Sequence, residues 1–152
     1  MPTGMEQSGI VIRRSEDFAA ALALAREAQL EVSEDAGEPL ALWGAFDGEL
    51  LVGLITLAAE GDIPIVGWIA VRAAYRGRGI ASRLLAAAEG EARRRGETVL
   101  WATARAPGFF ISRGYETVAS GVQRDLLLTD CRDCRQLDST CRPQVVRKTL
   151  VS

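Results

Sequence analysis

Arg76, Gly77, Arg78, Gly79, Ile80 and Ala81 are the residues of this 152-residue chain whose types and spacing point most directly to chemistry. They lie in IPIVGWIAVRAAYRGRGIASRLL, Ile63 to Leu85, where an apolar strand runs through two basic residues and two glycines into an amphipathic helix. A helix start carries N–H groups without an intrahelical acceptor and the positive end of the peptide dipoles, and glycine removes the side chain that would hold an anion off. The chemistry is therefore phosphate binding, with charge added by Arg76 and Arg78. A Rossmann fingerprint fits poorly: Gly77 and Gly79 match two of its glycines, but the third position is Ser82. Where an acid would hold the ribose, the chain has Ala104 and Arg105. A Walker A loop is excluded, because no GKS or GKT occurs. A turn with glycines for geometry alone is the remaining alternative, and the flanking arginines favour a pyrophosphate at the helix start.

A second cluster is Cys131, Cys134 and Cys141, in TDCRDCRQLDSTCRP. CxxC followed by a third cysteine resembles a metal site, yet zinc takes a fourth ligand and Asp133 or Asp138 would be an unusual one. Reduced structural thiols, a structural metal or shared intersubunit site, and redox pairing all stay open. The chain has no histidine. That excludes Ser/His/Asp triads, Cys/His dyads, HExxH metal sites and any imidazole proton carrier.

The elements that must position these residues follow from periodicity and turn signals. Gly9 to Arg14 reads as a first strand after a flexible tail over residues 1–8. Ser15 is the expected N-cap of a helix whose stripe of Phe18, Leu22, Ala25 and Leu30 runs to about Glu31. Residues 32–39, acidic with Gly37 and Pro39, read as a loop. Strands Leu40 to Phe46 and Leu50 to Ala58 are joined at Asp47 and Gly48, and a turn at Glu60 to Asp62 leads into Ile63 to Val71. The helix over about Gly79 to Arg95 places Ile80, Leu84, Leu85 and Ala88 on one face. Thr98 to Ala104, a short helix at Gly108 to Ser112, and strands at Thr117 to Val122 and Gln144 to Val151 complete the order. Strand, helix, strand implies a parallel pairing across the crossover.

Length and a 48% hydrophobic content suit one domain, 9–152, and a cytoplasmic location is expected because no apolar run approaches a bilayer span and the first residues lack a signal peptide's pattern. Residues 1–62 carry twelve acids and three arginines, net -9, and residues 63–152 fifteen bases and eight acids, net +7. A basic second half suits a phosphorylated ligand and an acidic first half an amine partner, with plain surface solvation as the alternative. No basic run is interleaved with aromatics, so nucleic acid is not an expected partner, and neither is a membrane.

Arg76 to Ala81 resembles the signature of the GNAT superfamily of N-acetyltransferases: Gln or Arg, two residues, Gly, one residue, then Gly or Ala. Trp68 to Val71 is similar to the strand before that motif, Tyr75 stands in a YRGRG context, and FFISRGY, Phe109 to Tyr115, resembles the later FYxxxGF segment. The resemblance covers residues 10–122 and implies an α/β fold with a mixed, mostly antiparallel sheet of six to seven strands flanked by about four helices. It implies acetyl-CoA as co-substrate, its pyrophosphate held by backbone amides from Arg76, Gly77, Arg78, Gly79, Ile80, Ala81 and Ser82. The strand edge at Ile69, Ala70 and Val71 would pair with pantetheine, and the Val71 N–H would stabilise the thioester oxyanion. Arg72 and Arg105 are candidates for the 3′-phosphate, with solvated surface arginines as the plainer reading.

Two family features are missing. Many members carry a proton-donating tyrosine at the position of Phe110 and a glutamate near that of Ile65. No general acid or base is therefore assigned. Thr103, Ser112 and Tyr115 are substitutes more in keeping with structural roles, and Glu60 or Asp62 would have to act through water. The late cysteine trio resembles some N-acetyltransferases related to N-acetylglutamate synthases. The expected reaction moves acetyl to a primary amine of a small molecule or amino acid, with no metal needed for catalysis. A protein amine, or a CoA-binding regulatory module without catalysis, is the alternative, and a homodimer is plausible for the family.

Overall fold

The computed structural model describes residues 9–27, 40–104, 107–119, 121 and 144–150. Its strands are β1 (Ile10–Ser15), β2 (Ala41–Asp47), β3 (Leu50–Glu60), β4 (Ile63–Val71), β5 (Val99–Ala104), β6 (Glu116–Val118) and β7 (Gln144–Thr149). The helices are α1 (Phe18–Glu27), α2 (Ile80–Arg94) and α3 (Pro107–Ile111), with a 3-10 turn at Ala73–Tyr75 before α2. The expected count of about four helices is thus three α-helices and one 3-10 turn among the described residues. The seven strands are ordered β1-β2-β3-β4-β5-β7-β6, antiparallel at β1-β2, β2-β3, β5-β7 and β6-β7 and parallel at β4-β5.

The chain divides into two compact units, residues 1–58 with 67–91, and 59–66 with 92–152. In the first, Ala21, Leu24, Leu42 and Leu54 form a buried cluster against which Phe18, Leu51 and Trp68 pack. The apolar face expected of α2 is buried in full, with Ile80, Leu84, Leu85 and Ala88 all at 2% exposure or less. In the second, Ile63, Trp101 and Val145 are buried together beside Ile65, Val99 and Val118.

Local chemistry sets the ends of these elements. Ser15 is not the N-cap of α1: it belongs to β1 through its pairing with Leu42, and its hydroxyl accepts the Asp17 N–H (3.2 Å). Asp17 is the cap, its Oδ1 accepting the Ala20 N–H at 3.0 Å. The β2-β3 turn is Gly48–Glu49 rather than Asp47–Gly48, since Asp47 pairs with Leu50 and Gly48 takes a φ of 61°. α2 closes in a Schellman motif, with Gly96 N–H on the Arg93 carbonyl (3.0 Å) and Glu97 N–H on that of Ala92 (3.0 Å). Among the described residues no helix is long and apolar enough to cross a membrane.

Candidate active site at the end of β4

The last residues of β4 are aligned by two bonds to β3. Arg72 N–H donates to the Val52 carbonyl (2.8 Å), and four residues earlier Trp68 N–H donates to the Thr56 hydroxyl (2.7 Å). Backbone groups alternate in direction along a strand, so Trp68, Ala70 and Arg72 turn their amides to β3, whereas Ile69 and Val71 turn theirs away from it. This places the Val71 N–H, and the Ile69 amide two residues before it, on an edge where a ligand can pair. Ala70, 7% exposed, faces its amide to β3 and acts as the spacer between them.

The approach of β3 at Thr56 depends on Gly67. A Cβ added there would lie 2.4 Å from Thr56 Oγ1. Thr56 itself is 2% exposed, so its hydroxyl serves β4 rather than solvent. Neither residue was singled out in the sequence; a glycine inside an apolar strand is the signal that marks close backbone approach.

Beyond β4 the chain enters the turn predicted to hold phosphate. Gly77 and Gly79 have φ of 80° and 77°, the left-handed region that favours glycine, and a Cβ at either would meet nothing within 4 Å. Their conservation of space is thus not required by packing; the backbone demands glycine and leaves a cradle open on the outside. The Gly79 carbonyl accepts the Arg83 N–H (3.2 Å), which makes Gly79 the cap and leaves the first-turn amides of Ile80 and Ala81 without an acceptor inside the helix. Ser82 follows in the same turn.

The two basic residues of the turn behave differently. Arg76 folds back, its Nε donating to the Val71 carbonyl at 3.1 Å, whereas the Arg78 guanidinium lies 5.0 Å from the centroid of the Tyr75 ring. The Tyr75 hydroxyl donates to Asp47 Oδ2 at 2.7 Å. That bond to Asp47, first among the causes, raises the phenol above its usual 10.0. A raised tyrosine contributes stability in full below the unfolded value, and the contribution disappears as pH climbs through the folded one. Tyr75→Phe is accordingly expected to melt below the wild type at pH 8, with the gap closing above pH 10 in thermal melts across that range.

Arg72 is not presented to a ligand phosphate. Its Nε donates to the Leu51 carbonyl (2.9 Å) and its Nη1 to both Glu27 carboxylate oxygens (2.7 and 2.5 Å). Arg105 lies outside the described residues, as do the acidic segment 32–39 and Cys131, Cys134 and Cys141. No cluster of metal-ligating side chains occurs among the described residues.

Phe110 is 5% exposed and stacks edge-on with Phe109 (5.2 Å) and Tyr115 (5.3 Å). It is a packing residue. Tyr115, 3% exposed, follows the turn after α3, its N–H donating back to the Phe110 carbonyl at 3.1 Å. The Ser112 hydroxyl donates to the Phe109 carbonyl at 2.8 Å, and Thr103 is exposed on β5.

A mixed sheet whose fourth strand leads through a left-handed glycine turn into a helix, with a parallel strand after it, defines an α/β fold with a turn suited to an anion at the helix start. The chain matches the acetyltransferase (GNAT) family over residues 12–115, belongs to that family, and is an acetyltransferase. No curated protein matches it. Among solved structures it is similar to N-acetylglutamate synthase from Neisseria gonorrhoeae complexed with coenzyme A and N-acetyl-glutamate, at 24% identity and a TM-score of 0.69. That match covers 94% of this chain and 35% of the synthase, so the chain spans about a third of that relative's length. It is also similar to Rv2747 from Mycobacterium tuberculosis in complex with CoA and NLQ (17% identity, TM-score 0.68, 93% and 99% covered). The ribosomal-protein-S18-alanine N-acetyltransferase from Escherichia coli is similar at 18% identity, with a TM-score of 0.68 and 94% and 95% covered.

Proposed function

We propose that this chain, as a single domain over residues 9–152, transfers acetyl from acetyl-CoA to a primary amine of a small molecule or amino acid. The observation that carries this reading is the pair of left-handed glycines, Gly77 and Gly79, opening α2 directly after a strand whose Ile69 and Val71 amides face away from β3. Such a turn fits a pyrophosphate, because main-chain N–H groups and the helix dipole act on the same anion and no side chain intervenes. An edge with amides two residues apart fits the amide-bearing pantetheine arm.

Acetyl-CoA supplies the acyl group as a reactive thioester. The turn from Arg76 to Ser82 and the edge at Ile69 and Val71 would hold the donor, and the Val71 N–H would stabilise negative charge on the carbonyl oxygen. The amine nitrogen forms the new C–N bond, the C–S bond breaks, and the proton lost by the amine leaves CoA as its thiol. The buried Phe110 offers no proton. Donor and acceptor alignment in a ternary complex must then contribute most of the acceleration, which thiolate as leaving group permits.

A panel of small amines, amino acids and peptides with free N-termini, incubated with protein and acetyl-CoA, tests the reading by thiol release. Acceptor-dependent release from a small amine or amino acid is the expected result. Release with peptides alone would identify a protein N-acetyltransferase. CoA binding with no release across the panel would place the acceptor outside small amines, amino acids and peptide N-termini, and absence of CoA binding would overturn acetyl-CoA as the donor.

A further inference from the structure

We propose that Tyr75, held by Asp47, is a positioning residue that sets the Arg78 guanidinium as a clamp on a phosphate of the acyl donor; this rests on the reading of the glycine turn as the acetyl-CoA site. Arg78 stands between two left-handed glycines, so the backbone on either side offers it no Cβ to pack against. Its side chain would otherwise sample many rotamers. The ring of Tyr75, 5.0 Å from the guanidinium carbon, supplies a surface, and a guanidinium over a ring face keeps its N–H donors free for two-point contact with phosphate oxygens. Arg76 donates its Nε to the Val71 carbonyl, whereas Arg78 has the Tyr75 ring as its contact in the turn.

The ring is fixed from outside the turn. Asp47 ends β2 and pairs with both Ile10 of β1 and Leu50 of β3, so the backbone that carries its carboxylate is held between two strands. Its 2.7 Å bond from the Tyr75 hydroxyl ties that rigid end to the 3-10 turn, across 28 residues of sequence. The phenol stays protonated in this bond, which suits a permanent donor. A phosphate contact by a side chain so held loses less conformational entropy than one from a free surface arginine.

Binding of CoA and of 3′-dephospho-CoA to wild type, Arg78→Ala, Tyr75→Phe, Tyr75→Leu and Tyr75→Leu/Arg78→Ala, by calorimetry at two salt concentrations, tests this. Arg78→Ala is expected to weaken CoA binding about tenfold and to flatten its salt dependence. Tyr75→Leu should cost about as much, Tyr75→Phe, which keeps the ring, about threefold, and the double variant no more than Arg78→Ala alone. In acetyl transfer the loss should fall on KM for acetyl-CoA rather than on kcat. An Arg78→Ala loss seen with CoA but not with the dephospho form assigns the clamp to the 3′-phosphate; equal losses assign it to the pyrophosphate. Additive losses from Tyr75→Leu and Arg78→Ala, or CoA binding indifferent to Arg78→Ala, would overturn the proposal while the acetyl-CoA reading stands. A wild type that fails to bind CoA would overturn both.

Discussion

Gly79→Ala is expected to weaken acetyl-CoA binding about 100-fold, roughly 2.7 kcal/mol, while lowering folding stability by only about 1 kcal/mol. The two effects separate because of where the residue sits. Its φ of 77° strains any L side chain, but an added Cβ meets no protein atom within 4 Å, so packing contributes nothing to the stability loss. Affinity falls for other reasons: the methyl group stands in the open cradle at the helix start, and relief of strain turns the Gly79, Ile80 and Ala81 amides away from the anion. Each charge-assisted bond lost is worth about 1.5–3 kcal/mol, so the loss of one accounts for the figure. Gly61→Ala is the control. Its φ is 61° and it too has open space around it, but it lies in the β3-β4 turn. It should show the same drop in melting temperature with acetyl-CoA affinity intact. Affinity within twofold of wild type in Gly79→Ala would remove the turn from the donor site.

The contrast between those two glycines shows what the sequence could and could not convey. β4 was legible from Ile63 to Val71 because an apolar run bounded by turn residues leaves few choices, and α2 because its apolar positions recur at helical spacing. Arg76 to Ala81 was legible because glycine and arginine in that order answer a local question about a helix start. Contacts reaching across the sheet were not. The cap of α1 shifted from Ser15 to Asp17 because β1 extends through its long-range pairing with Leu42. Likewise, nothing near Asp47 announces that its carboxylate receives Tyr75, and nothing near Arg72 announces Glu27. Arg72, a plausible phosphate ligand by charge and position, is spent on that ion pair. The place of β7 between β5 and β6 is of the same kind, fixed by pairs such as Trp101 with Arg147 and Thr117 with Val146.

Thr56 is the strongest instance, and it predicts the largest effect on folding. Gly67→Ala should lower stability by about 3 kcal/mol and the melting temperature by about 6–12 °C, measured by calorimetry. An alanine Cβ 2.4 Å from Thr56 Oγ1 cannot be accommodated as the side chains stand. Either β4 shifts away from β3, or Thr56 rotates and strands both its own hydroxyl and the Trp68 N–H in a buried setting. Thr56→Val keeps the shape and removes the acceptor, so it should cost about 1–3 kcal/mol from the Trp68 amide alone. Thr56→Ala clears the space, and Gly67→Ala/Thr56→Ala should therefore melt close to Thr56→Ala by itself, a coupling of about 3 kcal/mol. The same bond also sets which amides face the open edge. Because Trp68 and Arg72 are both drawn to β3, any shift of β4 at Gly67 turns the Ile69 and Val71 amides with it, so Gly67→Ala should reduce kcat at saturating acetyl-CoA at temperatures where the protein is still folded. A Gly67→Ala protein that melts within 1 °C of wild type would show that Thr56 moves aside without consequence and that β4 is aligned by other contacts.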